Sequence, residues 1–100
     1  MILEVAILSV IPGQEETFMD VFSEAQHILE KMRGYLGHEL QRCLEKKEDF
    51  LLFVHWDKIE NHTQGFHQSA EYQEWKNLLH HFYQPFPRVN HYELIFKNKI

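Results

Sequence analysis

Four segments rich in β-branched and aromatic residues, interleaved with two amphipathic helical segments in the order βαββαβ, predict an α+β fold. The topology expected is a ferredoxin-like split βαβ unit with a four-stranded antiparallel sheet. Chain length supports this reading: 100 residues with 44% apolar content, four glycines and no linker-like or low-complexity run make a single domain over residues 1–100. Strand patterning adds a constraint on assembly, because the first and third strands are apolar on both faces while two helices cover only one face of a sheet.

Residues 2–11 open the chain with Leu3, Val5 and Ile7 at one parity and Ala6, Leu8 and Val10 at the other, the signature of a strand covered on both sides. Pro12 and Gly13 break it. Phe18, Val21, Phe22, Ala25, Ile28, Leu29 and Met32 then recur at spacings of three and four, with Glu15 and Glu16 early and Lys31 and Arg33 late, so a helix aligned with its dipole runs up to Gly34. Residues 35–44 form a more polar second strand nearer an edge, Glu45–Asp49 a hairpin turn, and residues 50–56 a third strand. Asp57 and Glu60 suggest a capping-box variant opening a short helical turn through Phe66, with Gly65 allowing a bend. Ser69 suits an N-cap, and Tyr72, Trp75, Leu78, Leu79 and Phe82 share one face of the helix it opens. Pro85 and Pro87 end that helix by about Gln84, and residues 89–96 form the fourth strand.

The apolar face left uncovered calls for a second sheet, most simply from a second copy, giving a two-fold dimer in which sheets pack face to face or share a barrel. A formal charge of −5 with no basic run longer than Lys46-Lys47 gives no footprint for nucleic acid or an anionic membrane. The opening apolar run lacks a basic start and a small-residue cleavage site, Glu4 interrupts it, and it is too short to span a bilayer. Cys43 is the single cysteine, and without a second thiol it reads as a small buried or half-buried hydrophobe in a reducing, cytoplasmic setting.

The stretch from Phe66 to Tyr92 is the most distinctive. It holds seven of the fourteen aromatic residues and four of the eight histidines, more apolar ring area than a solvent-facing segment would carry. With the βαββαβ order, the third strand ending FVHWD, the following FHQSAEYQEW and the closing LLHHFYQPFPRVNHYE, the chain resembles the antibiotic biosynthesis monooxygenase (ABM) family of small dimeric α+β barrel proteins over nearly its whole length. The resemblance implies a pocket between helices and sheet in each subunit, and a family whose members include cofactor-free oxygenases of polyphenolic compounds, haem-degrading enzymes and proteins of unassigned role. Many members carry a His, and the haem-degrading branch a Trp, three residues before the hydroxyl residue that opens the second helix. Phe66 stands there, with His67 one place off. The haem branch's strand Asn and helix His fall at Ala6 and Lys76, so haem binding is not expected.

No nucleotide loop, zincin helix, nucleophile elbow or flavin fingerprint is present, and no cofactor is expected. A cofactor-free oxygenase needs a phenol-like substrate that ionises, a group to take or stabilise that charge, and a dry cavity. The sequence offers Phe66, Tyr72, Trp75 and Leu79 as walls, though such residues are more often core, and His67 with His80 or His81 as polar groups. Adjacent helical residues point about 100° apart, so at most one of His80 and His81 faces the cleft. For any one histidine, a hydrogen-bonded or half-exposed imidazole is the ordinary role. His62 with His67, or His80 with His91, are the candidate metal pairs, but an i,i+5 spacing separates the first pair on an α-helix and no Asp or Cys completes a ligand set, so no metal is expected. The leading function is a homodimeric monooxygenase acting on an aromatic or quinol-like small molecule; the alternative is a non-catalytic dimer that binds a small apolar ligand.

Overall fold

A computed structural model describes residues 1–100. Strands β1 (Ile2–Ser9), β2 (Tyr35–Arg42), β3 (Asp49–Trp56) and β4 (Arg88–Glu93) form one antiparallel sheet in the order β2-β3-β1-β4. Helix α1 (Glu15–Ala25) links β1 to β2, and α2 (Ala70–Leu79) links β3 to β4, which is the split βαβ topology the sequence predicts. The more polar β2 is indeed an edge.

Register assigns the faces. Glu4, Ala6 and Leu8 lie opposite Val54, Leu52 and Phe50, and all six are buried beneath the helices. Leu3, Val5 and Ile7 lie opposite His55, Phe53 and Leu51 on the other face, where Ile7 and Leu51 are exposed and the rest half-buried. The helix-covered side contains a ring cluster centred on Phe18, whose ring lies 5.0 Å from Phe50, 5.7 Å from Phe82 and 5.8 Å from Phe22. Aromatic pairs at these separations add to the burial of their area.

Four local features differ from the periodicity. The first helix is α-helical only to Ala25 and tightens to a 3₁₀ coil over Gln26–Lys31, a common way for the last turns to satisfy their carbonyls. β2 stops at Arg42, opposite Phe50, and the chain turns before Leu44. β4 stops at Glu93 because its partner β1 begins at Ile2, directly opposite; Leu94, Ile95 and Phe96 have no strand to pair with and are exposed.

The fourth difference lies in the β3–α2 connection. Asn61, not Asp57, supplies the side-chain acceptor, taking the Lys58 N–H at 2.8 Å. Asn61–Phe66 is then wound as a π-helical turn, with the His67 N–H donating to the His62 carbonyl five residues back. Ser69 caps α2, its Oγ accepting from the Tyr72 N–H at 3.1 Å. After the helix a 3₁₀ turn (His80–Phe82) and a cis Gln84–Pro85 peptide bring the chain back against β1. There the Ile11 N–H donates to the Phe82 carbonyl and the Gln84 N–H to the Ser9 carbonyl.

Gly34 ties these pieces together. It has φ +84°, its carbonyl accepts from the Asp57 N–H at 2.8 Å, and a Cβ there would overlap the Asn61 side chain. Gly34→Ala combines left-handed strain with that overlap, so it should destabilise the protein by more than about 1 kcal/mol in urea unfolding. An unchanged midpoint would show that the β3–α2 connection adjusts freely.

Candidate functional site

Between the sheet and α2 lies a cavity of about 90 Å³. Its floor is β1 and its walls are mostly apolar, with Phe66, Tyr72 and Trp75 on one side and Phe86 and Pro87 at the outer rim. Phe66 sits edge-on to Tyr72 at 5.2 Å and to Trp75 at 5.9 Å, so the three rings hold one another in place. Phe66 and Trp75 are also core residues, and wall and core are one surface here.

His67 and His80 reach the cavity together with those three rings. Leu79 does not: the α-helical turn directs it into the core, where it is fully buried. His81 does not either. One residue on from His80 it points outward, exposed and tilted against the Phe82 ring at 4.2 Å, as the 100° step between neighbours requires.

Glu4 and His62 also line the cavity and His91 is bonded behind His62; Glu4 was not a candidate from the sequence, and the two histidines were considered there only in other pairs, as metal ligands. Glu4, only 6% exposed, accepts a hydrogen bond at Oε1 from the Trp56 Nε1–H at 2.9 Å. His62 is 3% exposed; its Nε2 lies 3.4 Å from Glu4 Oε1, and its Nδ1 shares a 2.7 Å hydrogen bond with His91 Nε2. His91 stands directly opposite Glu4 in the β1–β4 register. The signal for Glu4 was available, since a lone carboxylate at the parity of Ala6 and Leu8 falls on the helix-covered face. His62 and His91 carried no comparable signal, being 29 residues apart.

The π-helical turn explains why His62 and His67 meet. On an α-helix, residues five apart diverge by about 140°, whereas the i→i+5 turn stacks them, with ring centroids 4.5 Å apart. The expected divergence of this pair therefore does not hold. His80 and His91, the other pair considered for a metal, do not form the contact; His91 pairs with His62 instead. Two imidazole nitrogens bound to one zinc stand about 3.3 Å apart, and 2.7 Å is the length of a hydrogen bond. No group of three or more His, Cys, Asp or Glu side chains is arranged to hold a metal ion.

Burial controls the charges. It pushes the Glu4 carboxyl up to about 7, a rise that the Trp56 hydrogen bond partly offsets. Burial also pushes His62 down to about 3, helped by His67 and His91. His67, His80 and His91 are lowered too, chiefly by burial, while Tyr72 is raised by burial and by the nearby Glu4. The Glu4–His62 approach is thus not an ion pair: between about pH 3 and about pH 7 both groups are uncharged, and above that window only the carboxylate is charged. No lysine or arginine lines the cavity. The arrangement can take a proton from a weakly acidic ligand and hold the ligand's ring among aromatic walls.

The Glu4 shift has a signed consequence. Between its ordinary value of 4.5 and about 7 the native state holds a proton that the unfolded chain has lost, so this group's contribution favours folding below 4.5 and is withdrawn as pH rises through that window. Glu4→Gln keeps an acceptor for Trp56 and removes the titration. Its stability relative to the natural protein should therefore rise by about 3 kcal/mol between pH 4 and pH 8. A difference independent of pH, measured by urea unfolding, would mean that Glu4 titrates as a surface carboxylate.

A family model described as "Antibiotic biosynthesis monooxygenase" matches residues 1–78. An "Uncharacterized protein YczJ" from Bacillus subtilis (strain 168) is 47% identical over 93 residues, spanning 93% of this chain and 98% of that protein. Among solved structures, a "Putative antibiotic biosynthesis monooxygenase" from Bordetella bronchiseptica superposes with a TM-score of 0.91 at 33% identity, over 95% of this chain and 97% of its own. SnoaB, a cofactor-independent oxygenase from Streptomyces nogalater, superposes with a TM-score of 0.82 at 14% identity, over 96% and 94%, a likeness of fold.

Proposed function

Since the chain belongs to the antibiotic biosynthesis monooxygenase family, we propose that it is a cofactor-independent monooxygenase that oxidises a phenol- or quinol-like ring in the cavity between sheet and α2. The observation that carries this reading is the buried Glu4 facing an aromatic-walled cavity with its carboxyl poised near neutrality. A phenolic O–H gives its proton to Glu4, and the electron pair left on the substrate oxygen makes the ring electron-rich enough to meet dioxygen. The ring carbon para to that oxygen gains one atom of O₂ as a carbonyl and loses its hydrogen. The other atom leaves as water, so phenol plus O₂ gives quinone plus H₂O and no outside reductant is consumed.

His67, Tyr72 and His80 are the groups we assign to orient the ring oxygens, with Phe66 and Trp75 against its faces. The absence of any cation in the lining favours neutral ligands over carboxylated or phosphorylated ones. Size adds a requirement. A single ring needs about 150 Å³, more than the 90 Å³ present, so the rim must yield, and Phe86, which is 73% exposed, is the wall least tied to the core.

The open sheet face supports a homodimer as the working unit. Leu3, Val5, Ile7, Leu51 and Phe53 form a contiguous apolar surface with no helix over it, and a second copy would cover it. The unpaired Cys43 suits a reducing cytoplasm. No helix is long and apolar enough to cross a membrane.

Oxygen uptake against a panel of quinols and phenols tests the reaction: turnover with one atom of ¹⁸O₂ in the quinone is the expected result, and saturable binding without uptake would instead indicate a binding protein. His67→Gln and His80→Gln, which keep a hydrogen-bonding side chain, should lower turnover about tenfold or more with melting temperature nearly unchanged; full activity in both would confine the chemistry to Glu4 and the substrate. Light scattering should report a dimer at micromolar concentration and a monomer for Phe53→Glu. A monomeric natural protein that binds no surface dye would rule the dimer out.

A further inference from the structure

We infer that Glu4, His62 and His91 form a proton conduit linking the cavity to solvent. The inference rests on the proposed ionisation of a phenol in that cavity, and it goes beyond it by giving the proton a route.

Geometry supports a line rather than a cluster. Glu4, which lines the cavity, is held at Oε1 by the Trp56 Nε1–H, and its Oε2 takes part in no side-chain hydrogen bond. His62 lies between the two: its Nδ1 is hydrogen-bonded to His91 Nε2 at 2.7 Å, and its Nε2 approaches Glu4 Oε1 at 3.4 Å, a gap that must close before a proton crosses it. His91 lies on β4, an edge strand, and is half-buried, so its far nitrogen is the end of the line toward water. The other titratable groups facing this line are His67 beside His62, Tyr72 and His80 on the α2 side, and Glu93, exposed and two residues along β4 from His91. Lys76, with its Nζ 5.9 Å from the Tyr72 ring centroid, is the nearest cation and lies outside the cavity lining; His67 and His80 are the other groups in the lining able to take a proton, and neither is hydrogen-bonded to Glu4 or His91.

The transfer balances. The phenolic O–H bond breaks and its proton joins Glu4 Oε2; a half-turn of the carboxyl, in which the Trp56 Nε1–H exchanges one carboxyl oxygen for the other as acceptor, and closure of the 3.4 Å gap present it to His62 Nε2. As Nε2 accepts, the proton on His62 Nδ1 moves to His91 Nε2, and the proton on His91 Nδ1 passes to water. One proton enters and one leaves, with both rings changed in tautomer. When oxygen has added to the ring, the peroxide oxygen takes a proton supplied along the same line in reverse. That return restores both tautomers, matching a reaction with no net proton change.

Two measurements test the conduit. In the natural protein without ligand, ¹⁵N spectra should show His62 and His91 exchanging tautomer in step with the ¹³C carboxyl titration of Glu4, and His91 titrating independently of Glu4 would overturn the inference whether or not any substrate is oxidised. With an active substrate, His91→Gln, which keeps a hydrogen bond but carries no proton through, should lower kcat about tenfold in dilute buffer with KM unchanged and regain it with added imidazole. Equal kcat in both proteins at every buffer concentration would also overturn it. Coupled tautomers in a protein that oxidises nothing on the panel would support the line while refuting the proposed reaction, so the two failures are distinguishable.

Discussion

Strand β1 is paired on both edges and lies beneath the helices on one face, so a polar side chain on that face has no route to bulk water except through its neighbours. Glu4 is that side chain, and much of the site follows from satisfying it. Trp56, displaced two residues along β3, supplies the indole N–H; the turn after β3 brings His62 alongside; β4 places His91 directly across. A carboxylate buried without partners would cost several kcal/mol, and the observed arrangement keeps the group neutral over part of the pH range rather than compensating it with a cation.

The same restraint applies to the histidines. Three imidazoles around one small cavity, with His91 bonded behind His62, resemble a metal centre when counted, yet they differ from one in spacing and in depth. Burial lowers all four, and neighbouring imidazoles add to it at His62, His67 and His80, which favours the neutral form that can both donate and accept. An apolar cleft lined by neutral donor–acceptor groups suits a ligand whose own charge appears only after it binds.

Most of the architecture was legible in the residues. β-branched runs marked the strands, three-and-four spacing marked the helices, Ser69 marked a cap, and the aromatic stretch marked the wall of the cavity. What escaped were features set by pairing between distant segments. The end of β4 depends on where β1 begins; the meeting of His62 with His91 depends on sheet register; and Leu79 and His81 left the site because neighbouring helical residues diverge. Glu4 was overlooked for a different reason. In the sequence it interrupts an apolar strand, and only its parity with Ala6 and Leu8 places it among the covered residues.

The wide turn at Asn61–Phe66 has one more implication, for comparing this chain with its relatives. A π-helical turn accommodates one residue more than an α-helical turn of the same span. In a relative lacking that residue, the strand and the helix would be unmoved, but the rings delivered to the cavity would step by one place. Phe66 and His67 are the two that would trade roles. An alignment that opens its gap on the wrong side of Gly65 would then equate a wall with a proton-bearing group, and the backbone, being nearly the same, would give no warning.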